Sequence, residues 1–181
     1  MIMPMRAAAL LVLAACGGSS DAIDAAVAAD AYDTATCLIQ GHYGALGSLT
    51  GTAGTTGTGA TTITVTLDPG PPGKDDFFIK LVGGKGVFAG GVAAGTYPIG
   101  GADANFLNCG LCVNLIADIK PGTGPSKFYF AASGMVTLTT VAPPIMGSAM
   151  TLHFDEIDIT TGNKIVGGCT ASIDSVTFST P

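Results

Sequence analysis

The sequence predicts an all-β domain, and three observations carry that prediction. Apolar residues alternate with polar ones in several short segments, as in TTITVTL at 61–67, where Ile63, Val65 and Leu67 share one face. Glycine and proline are frequent, with 27 and 10 residues, and they separate these segments. No convincing amphipathic helix lies between them. This spacing is typical of an antiparallel β-sandwich, jelly-roll or Ig-like, with a barrel as the alternative.

Further segments have the length and composition of short strands. They are 76–82, 86–91, 112–119, 127–132, 134–141, 148–154 and 169–178. The glycine- and threonine-rich stretch 47–62 is expected to be a loop that leads into the strand at residue 61. A weak strand or a glycan-bearing segment are the alternatives for it.

The N-terminus has the layout of a secretory signal, with Arg6 before nine small or apolar residues at 7–15. Nine residues are too few to cross a bilayer as a helix, which needs roughly 20. The stretch L-A-A-C at 13–16 resembles the lipobox of bacterial lipoproteins. That resemblance implies a signal peptide at 1–15 and attachment of lipid to the sulfur of Cys16. Because Gly17 is not an aspartate, it also implies an outer-membrane anchor in the cell envelope.

Residues 16–36 are expected to form a tether, because they combine small residues with four aspartates and no basic residue. A short alanine-rich helix is the alternative. The tether is similar to those of myxobacterial lipoproteins. Residues 37–181 then form one domain. Of the 13 acidic residues four lie in the tether, and of the 7 basic residues one lies in the signal, so the domain is near −3. That charge disfavours nucleic acid as a partner.

Four cysteines follow the anchor: Cys37, Cys109, Cys112 and Cys169. An even number in an exported domain indicates disulfides, because the envelope is oxidising. Of the three connectivities we favour Cys37 with Cys169 and Cys109 with Cys112. A redox CxxC pair is disfavoured because Cys112 leads into a strand-like segment. A zinc site is disfavoured because Cys37 and Cys169 are isolated in sequence.

The acidic group Asp155, Glu156 and Asp158 is the strongest remaining site candidate. In MTLHFDEIDIT the apolar residues change phase between Phe154 and Ile157, which predicts a β-bulge at Asp155 or Glu156. A bulge can gather carboxylate oxygens, the ligands that calcium prefers. The spaced DxDxDG loop is missing, however, and acidic residues on a bulged edge also serve to prevent edge pairing. We therefore expect no essential metal and no cofactor, with calcium at this group as the alternative.

Residues 37–181 are similar in pattern to uncharacterised lipoproteins of myxobacteria and related bacteria. The shared segments are GHYG at 41–44, GTYPIGG at 95–101, CGLCV at 109–113, a KFYFAASGMVTLT hairpin at 127–139 and SIDSVTF at 172–178. The resemblance assigns no activity, and no functional residue carries over from it.

Catalytic motifs are mostly absent from the sequence. The chain has two histidines, no HExxH and no GxSxG, and His153 is interpreted as a sheet-surface residue. The expected function is a non-enzymatic binding or structural role in the envelope, with an envelope protein or a glycan as partner. A secreted hydrolase or carbohydrate-active module is the alternative. The lack of tryptophan, the usual stacking platform for sugars, disfavours it.

Overall fold

The computed structural model describes residues 34–68 and 74–181. The helix α1 spans Thr34–Cys37, and two short 3-10 helices span Gly86–Phe88 and Gly101–Ala104. The strands are β1 Ala45–Thr50, β2 Thr52–Thr55, β3 Thr61–Asp68, β4 Lys74–Leu81, β5 Gly95–Ile99, β6 Leu111–Ile119, β7 Lys127–Thr140, β8 Met146–Asp158, β9 Asn163–Lys164 and β10 Thr170–Ser179.

The predicted signal peptide, Cys16 and the tether up to residue 33 lie outside the described residues. None of the helices in the described ranges is long and apolar enough to cross a membrane.

The described strands form one sheet, in the order β1-β10-β8-β7-β6-β4-β3-β2, with β5 on β7 and β9 on β8. The pair β1 and β10 is parallel, whereas the other pairs are antiparallel, so the sheet is mixed. It curls strongly into a half-barrel. The all-β prediction is therefore confirmed, but the two stacked antiparallel sheets of a sandwich are not. A continuous curled sheet is closer to the barrel alternative.

The curl brings distant strands face to face around one apolar core. Three strands separate Phe77 of β4 from Phe178 of β10 in the sheet, yet their ring centroids are 6.4 Å apart. Alternation along the strands supplies the buried side chains, because every second residue faces inward. The largest fully buried side chains include Ile63, Phe77, Ile79, Leu115, Tyr129, Leu152 and Phe154.

The chain itself links the two ends of the sheet at Gly51. This residue separates β1, which pairs with β10, from β2, which pairs with β3. Its N–H donates to the Ser179 carbonyl oxygen at 2.8 Å. A Cβ at this position would stand 2.5 Å from the carbonyl oxygen of Thr64 on β3. Only a residue without a side chain fits between the two ends.

The stretch 47–62 is thus not the loop that its composition predicts. It contributes most of β1, all of β2 and the start of β3. The side chains of β1 and β2 are exposed or partly exposed, so no hydrophobic alternation marks these strands. Backbone pairing holds them in the sheet instead, β1 with β10 and β2 with β3. Neither pairing can be recognised from the composition of the stretch.

Two other predicted elements differ in the structure. Residues 86–91 form a 3-10 turn and a loop instead of a strand, because the buried Asp103 carboxylate accepts the Val87 N–H at 2.9 Å. Residues 127–140 form one strand instead of a hairpin. At Gly134 the φ angle is +132°, and β7 passes from pairing with β6 to pairing with β5. The Ser133–Gly134 signal marks a bend, not a turn.

Candidate functional site

The predicted bulge at Asp155 and Glu156 is absent. Through Phe154, Asp155 and Glu156 the pairing of β8 with β7 is regular, opposite Ala131, Phe130 and Tyr129. The register shifts lie before this stretch of β8, the first between Ala131 and Ser133 of β7 and the second beside Thr151, which has a φ of +49°. The apolar phase changes after Phe154 because the sheet is buried on both faces here.

Ile157 is buried on the face of the sheet opposite the main core. It packs with Phe130, Cys109 and Cys112 in a separate apolar cluster, outside the main core. Alternation along regular β8 places Asp155 on the same face as Ile157, and Glu156 on the opposite face. The three acidic residues therefore do not share one face.

Each of these carboxylates has its own protein partner. Asp155 lies 2.7 Å from the Lys164 ammonium. Glu156 lies 2.9 Å from the Lys127 ammonium and accepts the Cys169 N–H at 2.9 Å. Asp158 accepts the Thr160 N–H at 2.7 Å, and hydrogen bonds from the backbone of Thr160 hold the pKa of the Asp158 carboxyl below its usual value. Among the described residues no three His, Cys, Asp or Glu side chains are grouped to hold a metal ion.

The four cysteines form the two favoured bridges. Cys37 at the end of α1 is joined to Cys169, the residue before β10, with the Cα atoms 5.7 Å apart. Cys109 and Cys112 join the loop at 100–110 to the start of β6, with the Cα atoms 5.2 Å apart. The first bridge holds the chain that precedes β1 against the last strand. The second bridge holds a loop over the outer face of the sheet.

One polar group that the sequence did not predict lies beside β10. The Nδ1 atom of His42 is 2.9 Å from the Ser172 hydroxyl oxygen, and its Nε2 atom is 3.5 Å from an Asp174 carboxylate oxygen. These are the residue types of a serine hydrolase triad. The His42 and Asp174 side chains are 63% and 61% exposed, however, so this group lies on an open surface.

Acyl transfer also needs free N–H donors for the oxyanion. The N–H groups around Ser172 are already used in strand pairing: Ser172 donates to Gly41, Tyr43 to Ser172, and Asp174 to Gly44, at 2.9–3.0 Å. Within the described ranges this group has the geometry of a surface ion pair. His153, directly opposite Ser172 on β8, is exposed, as interpreted from the sequence.

The strongest site candidate lies on the outer face of the sheet, the face opposite the main core. There β4, β6 and β7 present their second set of alternating side chains. With a loop that folds over them, these side chains enclose a groove of about 430 Å³, which we call the outer groove. Nine residues line it: Thr56, Phe78, Lys80, Phe106, Leu107, Cys112, Asn114, Ile116 and Phe128. This volume is within the range of small-molecule sites.

Strand register explains why these side chains meet. Phe78 of β4 lies directly opposite Asn114 of β6, and Ile116 of β6 lies opposite Phe128 of β7. The ring of Phe106 enters from the loop at 100–110 and packs edge-on against Phe130, with the ring centroids 5.7 Å apart. The result is an aromatic wall on the side of the sheet where a single-core domain would be polar.

The loop that carries Phe106 is fixed by a buried carboxylate. Asp103 is 2% exposed, and it accepts the N–H groups of Val87, Gly110 and Leu111 at 2.8–2.9 Å. The Cys109–Cys112 bridge adds a covalent link a few residues later. One wall of the outer groove is therefore held in place before any ligand binds.

Asn114 is the polar centre of the outer groove. It is 4% exposed, and its Oδ1 atom is buried without a hydrogen-bond partner. Its neighbours across the strands are Phe78 and Phe130, which offer no donor. A buried acceptor left unpaired costs about 1–3 kcal/mol, so a donor brought by a ligand would recover this free energy.

Lys80 supplies the charge. Among the described lysines, its ammonium alone takes part in no ion pair and no hydrogen bond. No acidic residue lines the outer groove. Two other clefts on the described surface, beside Ser48 and beside His153, have neither an unpaired buried polar atom nor an aromatic wall.

Two features of the sequence indicate an apolar outer face at this site. In DFFIKLV, the adjacent Phe77 and Phe78 must point to opposite faces of a strand, so one of them leaves the main core. The asparagine in CVNLIADI has the same phase as Ile116, which placed a polar residue within an apolar face. The register that joins these residues, and the loop over them, could not be read from sequence.

Comparison with known proteins adds no family. No protein-family model matches the chain, and no curated protein and no solved structure matches it.

Proposed function

We propose that this chain is a lipid-anchored cell-envelope protein whose β domain binds a small and largely apolar ligand in the outer groove without transforming it. The observation that carries the binding role is Asn114, a buried amide with an unpaired oxygen on the floor of an aromatic groove. Native proteins pair nearly all such groups, so this exception needs an explanation, and a donor supplied by a ligand is the one that the surrounding aromatic groove favours. Apolar walls with a few convergent polar groups are typical of ligand sites.

The anchor part of the proposal rests on the N-terminal sequence. The L-A-A-C stretch resembles a lipobox, and Gly17 favours the outer membrane in that resemblance. Replacing Cys16 by serine is expected to remove the protein from the membrane or to leave an uncleaved precursor. Detergent-phase partitioning of cell extracts measures this, and an unchanged membrane fraction would contradict the anchor.

The binding part is tested with an apolar fluorescent reporter, N-phenyl-1-naphthylamine. The chain has no tryptophan, so the protein contributes little background emission. Phe128→Ala removes part of the wall, and at about 25 cal/mol per Å² of lost apolar contact we expect reporter affinity to fall on the order of tenfold. Met150→Ala is the matched control, because Met150 is 52% exposed on another part of the sheet. Equal affinity in both variants, with both folded by circular dichroism, would contradict binding in the outer groove.

A secreted hydrolase remains the second candidate, and one observation favours it, the contact of His42 with Ser172 and Asp174. The engaged N–H groups around Ser172 argue against it. Hydrolysis of p-nitrophenyl acetate that disappears in Ser172→Ala would reverse the order of the two functions.

A further inference from the structure

The outer groove has an uneven distribution of polar groups, which restricts what it can bind. Its lining is mostly aromatic and aliphatic, with three polar side chains, those of Thr56, Asn114 and Lys80. The Thr56 hydroxyl is already hydrogen-bonded to Thr58 and Ala60, which leaves the Asn114 amide and the Lys80 ammonium. A purely apolar ligand would leave both groups unsatisfied. The ligand must therefore carry polar groups of its own, and their chemistry follows from these two side chains.

Asn114 can accept a hydrogen bond from a ligand. Its Oδ1 atom has no partner in the protein, and the residues across from it on β4 and β7 are phenylalanines. The terminal torsion of an asparagine is broad, so the amide can turn toward a donor in the groove. An N–H or O–H group on the ligand satisfies this oxygen.

Lys80 can pair with an anionic group of a ligand. It lies opposite Cys112, two residues from Asn114 on the same face of the sheet. Such diagonal neighbours on adjacent strands are about 7–8 Å apart at the backbone. The lysine side chain is long and flexible, so its ammonium can lie closer to Asn114 than the two backbones do. It can therefore reach an acidic group of a ligand whose N–H is bonded to Asn114. No protein carboxylate lines the groove to compete for it.

We propose that the outer groove binds an apolar carboxylic acid that carries an amide N–H beside its carboxylate, as in the C-terminal residue of a peptide or in an N-acyl amino acid. The carboxylate pairs with Lys80, the N–H donates to Asn114, and the apolar side chain packs on Phe78, Phe106 and Phe128. A single carbon separates the N–H from the carboxylate in this group. This proposal rests on the binding function proposed above.

The experiment is a fluorine NMR titration of the purified chain with three related ligands. N-acetyl-4-fluorophenylalanine has both polar groups, its C-terminal carboxamide lacks the charge, and 3-(4-fluorophenyl)propanoate lacks the N–H. Because charge-assisted bonds are about twice as strong as neutral ones, we expect the carboxamide to bind roughly tenfold more weakly than the acid, and the propanoate to bind severalfold more weakly.

Two variants assign these losses to their residues. In Lys80→Met the acid and the carboxamide should bind equally, whereas Lys164→Met, an exposed lysine outside the groove lining, should keep the difference. In Asn114→Leu, which keeps the volume, the acid should lose its advantage over the propanoate. A longer peptide or a longer acyl chain on the nitrogen then distinguishes the two sources of this chemistry by which extension strengthens binding.

Equal binding of the acid and the carboxamide by the unaltered chain would overturn the proposed ligand class while leaving the binding function intact. An equal loss for both ligands in Lys80→Met would also overturn it, because the lysine would then act through its stem. Failure of all three ligands and of the naphthylamine reporter would refute both proposals.

Discussion

At the scale of single residues, the most consequential side chain is Asp103. A carboxylate that is 2% exposed has no lysine beside it among the described residues, and three backbone N–H groups satisfy it instead. Gly86 lies against it with a φ of +47°, and a Cβ there would stand 2.2 Å from the carboxylate. Nothing in GGADANF marks this role in sequence, because it depends on backbone groups from two other segments.

We expect Asp103→Asn to destabilise the domain by about 2–3 kcal/mol, because an amide cannot accept all three N–H groups and turns a donor toward one of them. Urea unfolding measures the change. Asp174→Asn is the control, since that side chain is 61% exposed and its pairing with His42 should contribute less than about 1 kcal/mol. Similar losses in the two variants would show that the Asp103 bonds contribute little.

At the scale of elements, the sequence predicts strands well where one face is buried and poorly where pairing alone maintains them. Burial marks β3 by alternation, and β4 and β6 by apolar segments that are buried over most of their length, and the sequence predicts all three within about two residues at each end. For the exposed strands β1 and β2 the sequence predicts a loop, because no buried alternation marks them and pairing with β10 and β3 alone holds them in the sheet. The sequence predicts two strands joined at Ser133–Gly134 where the structure has the single strand β7, because a bend and a turn have the same local composition.

Gly51, between β1 and β2, allows a direct test of how these exposed strands contribute. We expect Gly51→Ala to destabilise the protein by about 1–3 kcal/mol, because its Cβ would meet the backbone oxygen of Thr64, which cannot move without disturbing β3. Gly57→Ala is the matched control in the following turn, where a Cβ would meet nothing within 4 Å. Thermal and urea unfolding compare the two. A neutral Gly51→Ala would show that the ends of the sheet separate at little cost.

At the scale of the whole molecule, the curl of the sheet and the loop over its outer face create the two features that sequence could not supply. Curling places Phe77 against Phe178 and makes one sheet enclose a core by itself, which explains why two stacked sheets were predicted from the same strands. The outer groove needs the register of β4, β6 and β7 together with Phe106 from the loop. The adjacent phenylalanines of β4 indicate one wall of the groove in the sequence. The way the strands and the loop assemble around that wall cannot be predicted from the sequence.

The two disulfides separate the stability of the whole molecule from the shape of the site. In the chain-entropy model the Cys37–Cys169 bridge, which spans 132 residues, stabilises by roughly 5 kcal/mol, and the Cys109–Cys112 bridge, which spans 3, by roughly 2 kcal/mol. We therefore expect the double serine variant of the long bridge to lose far more in urea unfolding than that of the short bridge. The short bridge lies beside Phe106 and contributes Cys112 to the groove lining, so its variant should lose more reporter affinity, measured where both variants are folded. If the long-bridge variant loses affinity equally, the groove depends on the whole sheet and not on its loop.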